Sequence, residues 1–164
     1  MIRAMTIFAA TATIVALSGC ERTAVSQPNC TVTDFGITGD TEIERRKFAP
    51  TSPSLALDEL EDFPFVEQTD RIPLVLGTVF GFDYTVENLP PGTRLDFITR
   101  HPPMDVPGRG IITDFTINQE PSESFGYGFD YDFELVEGEW AFELVMEGQL
   151  LCAQRFETHH PDAD

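Results

Sequence analysis

Few side chains in this 164-residue sequence are placed to do chemistry. His101 follows Arg100 and precedes Pro102 and Pro103; a base in a proline-stiffened loop could take a proton from water or a hydroxyl. No Gly-x-Ser-x-Gly elbow or other setting for a nucleophile accompanies it, so it reads first as a structural loop residue. Asp58, Glu59, Glu61 and Asp62 could curl round a cation, but they lack the spaced ligands and central glycine of an EF-hand. Asp130, Asp132 and Glu134 alternate along an aromatic run, about 7 Å apart if the run is a strand. A straight strand face does not converge oxygens on calcium, so they read as solvated surface. His159, His160, Asp162 and Asp164 could chelate a transition metal, yet so near the chain end they read as a soluble tail. None of these groups is assigned a catalytic, cofactor-binding or metal-binding role.

The cysteines carry more. Leu17-Ser18-Gly19-Cys20 closes an apolar stretch, Met5 to Leu17, that begins just after Arg3. Positive start, apolar middle and small residues before a cysteine are the parts of an export signal. The run is too short for a transmembrane helix, which needs about 20 apolar residues. An ordinary cleavage site wants small residues where Leu17 stands. The pattern resembles the lipobox that signal peptidase II reads in bacterial lipoproteins. That resemblance implies removal of residues 1–19 and a di- or triacylated Cys20, with a diacylglycerol on the sulfur and with or without a further chain on the new amine, and two or more chains anchor stably. Glu21, where aspartate often signals inner-membrane retention, leans toward the outer membrane in a host that has one. Residues 20–29 then read as a lipidated tether of roughly 30 Å at most.

With Cys20 lipidated, Cys30 and Cys152 remain as a pair in an oxidising compartment. They are expected to join, because terminal strands of a sandwich often lie side by side; two buried free thiols are the alternative. So long a loop gives roughly 4 to 5 kcal/mol of chain-entropy stabilisation as a ceiling. Charge adds its own exclusions. Ten basic against 28 acidic residues give a net charge of −18, which argues against nucleic acid, whose phosphates demand a basic surface. No nucleotide cofactor motif is present. Arg71 and Arg100 read as internal partners of carboxylates or as an anion contact.

The elements that would hold these residues are strands. Thr31 to Ile37 is β-branched and aromatic, Phe80-Phe82-Tyr84-Val86 alternates with small and polar residues, and Leu95-Phe97-Thr99 follows, ended by His101-Pro102-Pro103. Gly110 to Asn118 supplies another strand. Phe125, Tyr127, Phe129, Tyr131 and Phe133 place aromatics on one face of a long strand. Trp140-Phe142-Leu144-Met146, a Glu147-Gly148 turn, and Leu150-Cys152-Phe156 complete the series. Gly39 to Phe63, with Pro50 and Pro53, reads mostly as loop, and Leu55 to Leu60 fits neither helix nor strand. The expectation is an all-β, immunoglobulin-like antiparallel β-sandwich with irregular acidic loops: one domain over 30–158 and a polar tail over 159–164. Its aromatics are core rather than a stacking surface for sugars or bases.

Asp34-Phe35-Gly36-Ile37, Gln68-Thr69-Asp70-Arg71-Ile72-Pro73 and Gly77 to Tyr84 together resemble an uncharacterised bacterial family, domain of unknown function 3859. So do Gly126-Tyr127, Phe133-Glu134-Leu135-Val136 and Gly138-Glu139-Trp140. The likeness runs from about Cys30 to Phe156 and departs at Gly39–Phe63, at the tail and at the lipobox. It implies a compact β domain and transfers no active site. The expected role is therefore a lipid-anchored envelope module on the exported side of the membrane, non-enzymatic, binding an envelope protein through a strand edge or loop surface. One alternative is a small envelope hydrolase or carbohydrate-active enzyme using His101 and nearby carboxylates. Another is a cation-dependent structural module.

Overall fold

The computed structural model of the protein describes residues 27–40, 43–60 and 63–161. These residues form strands interrupted by a single 3₁₀ turn at Asp132–Glu134, so the all-β expectation holds. β1 (Asn29–Thr38), β4 (Phe65–Glu67), β6 (Val79–Glu87) and β9 (Ser124–Gly128) make one sheet in the order β4-β1-β6-β9. β5 (Arg71–Pro73), β7 (Leu95–Val106), β8 (Gly110–Gln119), β10 (Gly138–Met146) and β11 (Gln149–His159) make the other, in the order β5-β11-β10-β7-β8. The remaining pair, β2 (Ile43–Phe48) and β3 (Ala56–Leu60), is a separate antiparallel arm. Pairing departs from wholly antiparallel in one place: β5 runs parallel to β11.

Period-two alternation builds the core. Phe80, Phe82 and Tyr84 of β6 and Phe125 and Tyr127 of β9 face Phe97 of β7, Trp140, Phe142 and Leu144 of β10, and Phe156 of β11, all buried. Phe80 meets Phe156 at 5.2 Å and Trp140 at 5.7 Å, and Phe125 meets Phe97 at 5.0 Å between ring centroids. Such pairs add about 0.5–1.5 kcal/mol each beyond area burial. Glu147 and Gly148 both take positive φ, 50° and 80°, as a two-residue hairpin between β10 and β11 requires.

Outside the first sheet, a row of glycines crosses three strands. Gly36 pairs with Gly81, and Gly81 with Gly126. A Cβ on Gly81 would lie 2.9 Å from Phe63 Cζ, and one on Gly36 would strike the Glu67 carbonyl. The Phe63 ring lies on this bare strip at Gly81 and Gly126, whereas at Gly36 the backbone of the neighbouring β4 leaves no room for a side chain.

Three expectations need correction. Gly39–Phe63 is not mostly loop: β2 and β3 pair from Ile43 to Leu60, and Leu55–Leu60 falls almost wholly within β3. Pro50 and Pro53 sit in the connection between the strands and interrupt neither, while Arg46 and Asp58 lock the pair across it. β7 does not stop at His101 but continues to Val106. Its prolines are tolerated because the β10 ladder has ended at Arg100 and the register to β8 shifts between Arg100 and Met104.

The aromatic strand is shorter than its pattern. The β6 ladder ends at Val79 opposite Gly128, so residues beyond Phe129 have no partner strand and turn instead. Tyr131 and Phe133 stack on each other at 5.3 Å, and Glu134 points inward. As expected, β1 and β11, which hold the two paired cysteines, lie side by side, each in its own sheet.

Candidate functional site

The two sheets part along one side, where their edge strands β8 and β9 face each other across the sandwich. Between them runs a groove of about 1010 Å³, lined by every residue of β9, by Phe115, Ile117 and Gln119 of β8, and by the 120–123 link. The arm supplies the opposite lip through Lys47, Ser52, Ser54, Ala56, Leu57 and Asp58. Its tip is fastened to the second sheet: Thr51 Oγ1 donates to the Thr116 carbonyl at 2.7 Å, and the Arg109 guanidinium donates to the carbonyls of Pro50, Thr51 and Ser52. At the arm's body, Arg46 holds Asp58 through two 2.6 Å bonds and reaches Asp130 at 3.9 Å.

Backbone parity fixes what β9 offers. Tyr84 donates to the Glu123 carbonyl, and Phe129 donates to the Thr78 carbonyl. Antiparallel pairs alternate, so Phe125 and Tyr127 also bond inward to β6. The N–H and C=O groups of Gly126 and Gly128 then point away from the sheet, into the groove, where no described strand pairs with them. Other edges are blunted. β4 and β5 have three residues each, and the Thr51 hydroxyl occupies part of β8.

The start of β9 is held firmly. The Ser122 amide donates to Tyr84 Oη at 3.2 Å, its hydroxyl donates to the Ser124 carbonyl at 2.7 Å, and the Ser124 hydroxyl donates to Asp83 at 2.7 Å.

Beneath the groove lies a buried polar pair. Tyr127 Oη donates to Glu134 Oε1 at 2.6 Å, while the amides of Asp130 and Tyr131 donate to Oε2 at 2.6 and 2.9 Å. Burial pushes the Glu134 carboxyl above its ordinary range, against the three donors that favour its charged form. Burial and the adjoining carboxylate also push the Tyr127 phenol up, so it stays protonated and donating. The Tyr127 ring packs on Trp140 at 5.0 Å and Phe115 at 5.9 Å.

The residues singled out in the sequence are scattered about this frame. Cys30 and Cys152 form a disulfide with Cα atoms 5.6 Å apart, stitching β1 of one sheet to β11 of the other. Cys20 lies outside the described residues. His101 is not a loop residue but an inward-facing position of β7, buried against Trp140 at 5.1 Å. Its Nδ1–H donates to the Pro102 carbonyl at 2.8 Å, and Nε2 meets no hydrogen-bond partner among the described residues. Burial lowers its pKa, so the ring is neutral. It lines neither the groove nor any bond to a carboxylate or nucleophile.

Asp58 is a strand residue engaged by Arg46, and Glu61 and Asp62 fall outside the described residues. Asp130 and Asp132 are exposed, whereas Glu134 is fully buried, contrary to the solvated-face expectation. His159 belongs to β11, and its carbonyl accepts from Leu74. Arg100 takes the internal role, bonding both Glu143 oxygens at 3.1 Å. Among the described residues no three His, Cys, Asp or Glu side chains gather as metal ligands. None of them forms a helix long and apolar enough to cross a membrane. The groove itself went unread, although glycines at 126 and 128 inside an aromatic strand are a signal for close backbone approach.

Two facing sheets closed over an aromatic core define an immunoglobulin-like β-sandwich. A crystal structure of an immunoglobulin-like protein from Pseudomonas aeruginosa superposes with a TM-score of 0.61 at 22% identity, over 83% of this chain and 99% of that one. The chain belongs to the family described as Domain of unknown function (DUF3859), whose model matches residues 26–158. A search of the curated proteins returned no match.

Proposed function

We propose that the protein is a non-enzymatic binding module of the bacterial envelope, anchored through acylated Cys20, which takes an extended segment of a partner protein into the β8–β9 groove. One observation supports this above the others: a strand edge that no described strand pairs, with the outward backbone groups of Gly126 and Gly128, runs along the floor of a long groove. Strand addition draws affinity from main-chain hydrogen bonds, each worth about 0.5–1.5 kcal/mol net. Gly128 brings no side chain to that edge, while the space left by Gly126 is taken by the protein's own Phe63 ring. The short tether after Cys20 keeps the groove near the bilayer, and glutamate rather than aspartate at position 21 leans toward the outer membrane in a host that has one.

The hydrolase reading finds no foothold, since His101 is sealed in the core away from the groove. A cation-dependent module lacks a described ligand cluster.

A photo-crosslinking side chain placed at Gln119, inside the groove, should give specific adducts in cells, whereas one at Ala153 on β11 should not. Identical adducts from both positions, or none from Gln119, would refute the reading.

A further inference from the structure

We infer that the groove selects an extended segment that is basic at both ends and uncharged in the middle; the inference rests on the docking reading above. Among the described residues lining the groove, carboxylates outnumber cations five to two. Their placement matters more than their number. Glu120 and Glu123 stand just before β9, and Asp130 stands just after it. The strand between them, Ser124–Gly128, carries no charge.

Glu120 and Glu123 are exposed and pair with no described cation. Of the two lining cations, Arg94 is fixed in place by Asn118, its Nε donating to Oδ1 at 2.7 Å, and keeps its charge. A strand laid along β9 therefore has its middle over backbone and glycine, one end beside Glu120 and Glu123, and the other beside Asp130, which shares the Arg46 guanidinium with Asp58 and so leaves that end with one net negative charge. Five residues at about 3.3 Å each separate those ends by roughly 17 Å. A second copy of this chain is disfavoured as the occupant, because a net charge of −18 sets like against like.

The test uses the mature full-length chain and three short Val/Thr peptides that differ only at their ends: paired lysines, paired serines or paired glutamates. Binding is followed through the Gly126 and Gly128 amide signals by NMR. The lysine peptide should bind about tenfold more tightly than the serine peptide and weaken as salt is raised, and the glutamate peptide should not bind. Joint Glu120→Lys and Glu123→Lys substitution, both on the surface, should remove most of the lysine peptide's advantage over the serine peptide.

Equal binding of all three peptides overturns the charge preference and leaves strand docking standing. Failure of all three to move Gly126 and Gly128 removes the docking reading and the preference with it. Lysine-peptide shifts spread evenly over the acidic surface, insensitive to the two substitutions, also overturn the preference.

Discussion

Replacing Glu134 by alanine tests how much of the groove floor hangs on one side chain. The substitution strands the Tyr127 hydroxyl and the Asp130 and Tyr131 amides, which all donate to that carboxylate. The hydroxyl is buried and loses its partner outright, costing about 1–3 kcal/mol. Both amides are only partly buried, so water replaces part of what they lose, and each costs about 0.5–1 kcal/mol. Relief from holding a carboxylate out of water offsets some of this. The expected net loss is about 2–4 kcal/mol.

Urea unfolding followed by the fluorescence of Trp140, the sole tryptophan and a neighbour of Tyr127, reads that loss directly. Tyr127→Phe should couple to it in a double-mutant cycle by about 1 kcal/mol or more. A loss under about 1 kcal/mol for Glu134→Ala, or strict additivity with Tyr127→Phe, would refute the argument.

Further outcomes follow from the same structure. Because the Glu134 carboxyl is held above its ordinary value, the folded state retains a proton that the unfolded chain has released. Its contribution is therefore fullest below the unfolded pKa and declines as pH rises through the folded one, so stability relative to Glu134→Gln should fall from about pH 4 toward neutrality. Gly126→Val should destabilise by more than the about 1–3 kcal/mol of ordinary overpacking, since the new carbons meet both the Phe63 ring and the Phe80 carbonyl; thermal melting measures it. Reducing the Cys30–Cys152 bond should cost up to about 4–5 kcal/mol in denaturant unfolding. Cys20→Ser should move the protein from the membrane to the soluble fraction, and wild type that takes up no fatty-acid probe in cells would remove the anchor from the account.

Strands whose partners flank them on both sides were legible. Phe80–Val86, Leu95–Thr99 and Trp140–Met146 alternate because one face meets the opposite sheet, and local pattern reports that burial. The disulfide was legible too, through cysteine parity and compartment. Failures occurred where a distant partner decides. Tyr131 and Phe133 continue the alternation of β9, but the strand they would pair with starts at Val79, information held fifty residues away. The β2–β3 arm has no apolar face to announce it and depends on Arg46 finding Asp58 and on Thr51 and Arg109 joining the tip to the second sheet. The groove is a gap between edges, and a gap has no residue pattern of its own. Only Gly126 and Gly128 hinted at it.

The position of the disulfide has a mechanical consequence. A pull arriving from ahead of Asn29 would meet Cys30 after a single residue of β1. Without the covalent link, that tension would peel β1 from β6 one rung at a time. With it, the load passes at once into β11 and, through its long ladder, into β10. Both sheets then resist together in shear, so a load applied at the start of β1 is borne by the whole sandwich rather than by one pair of strands.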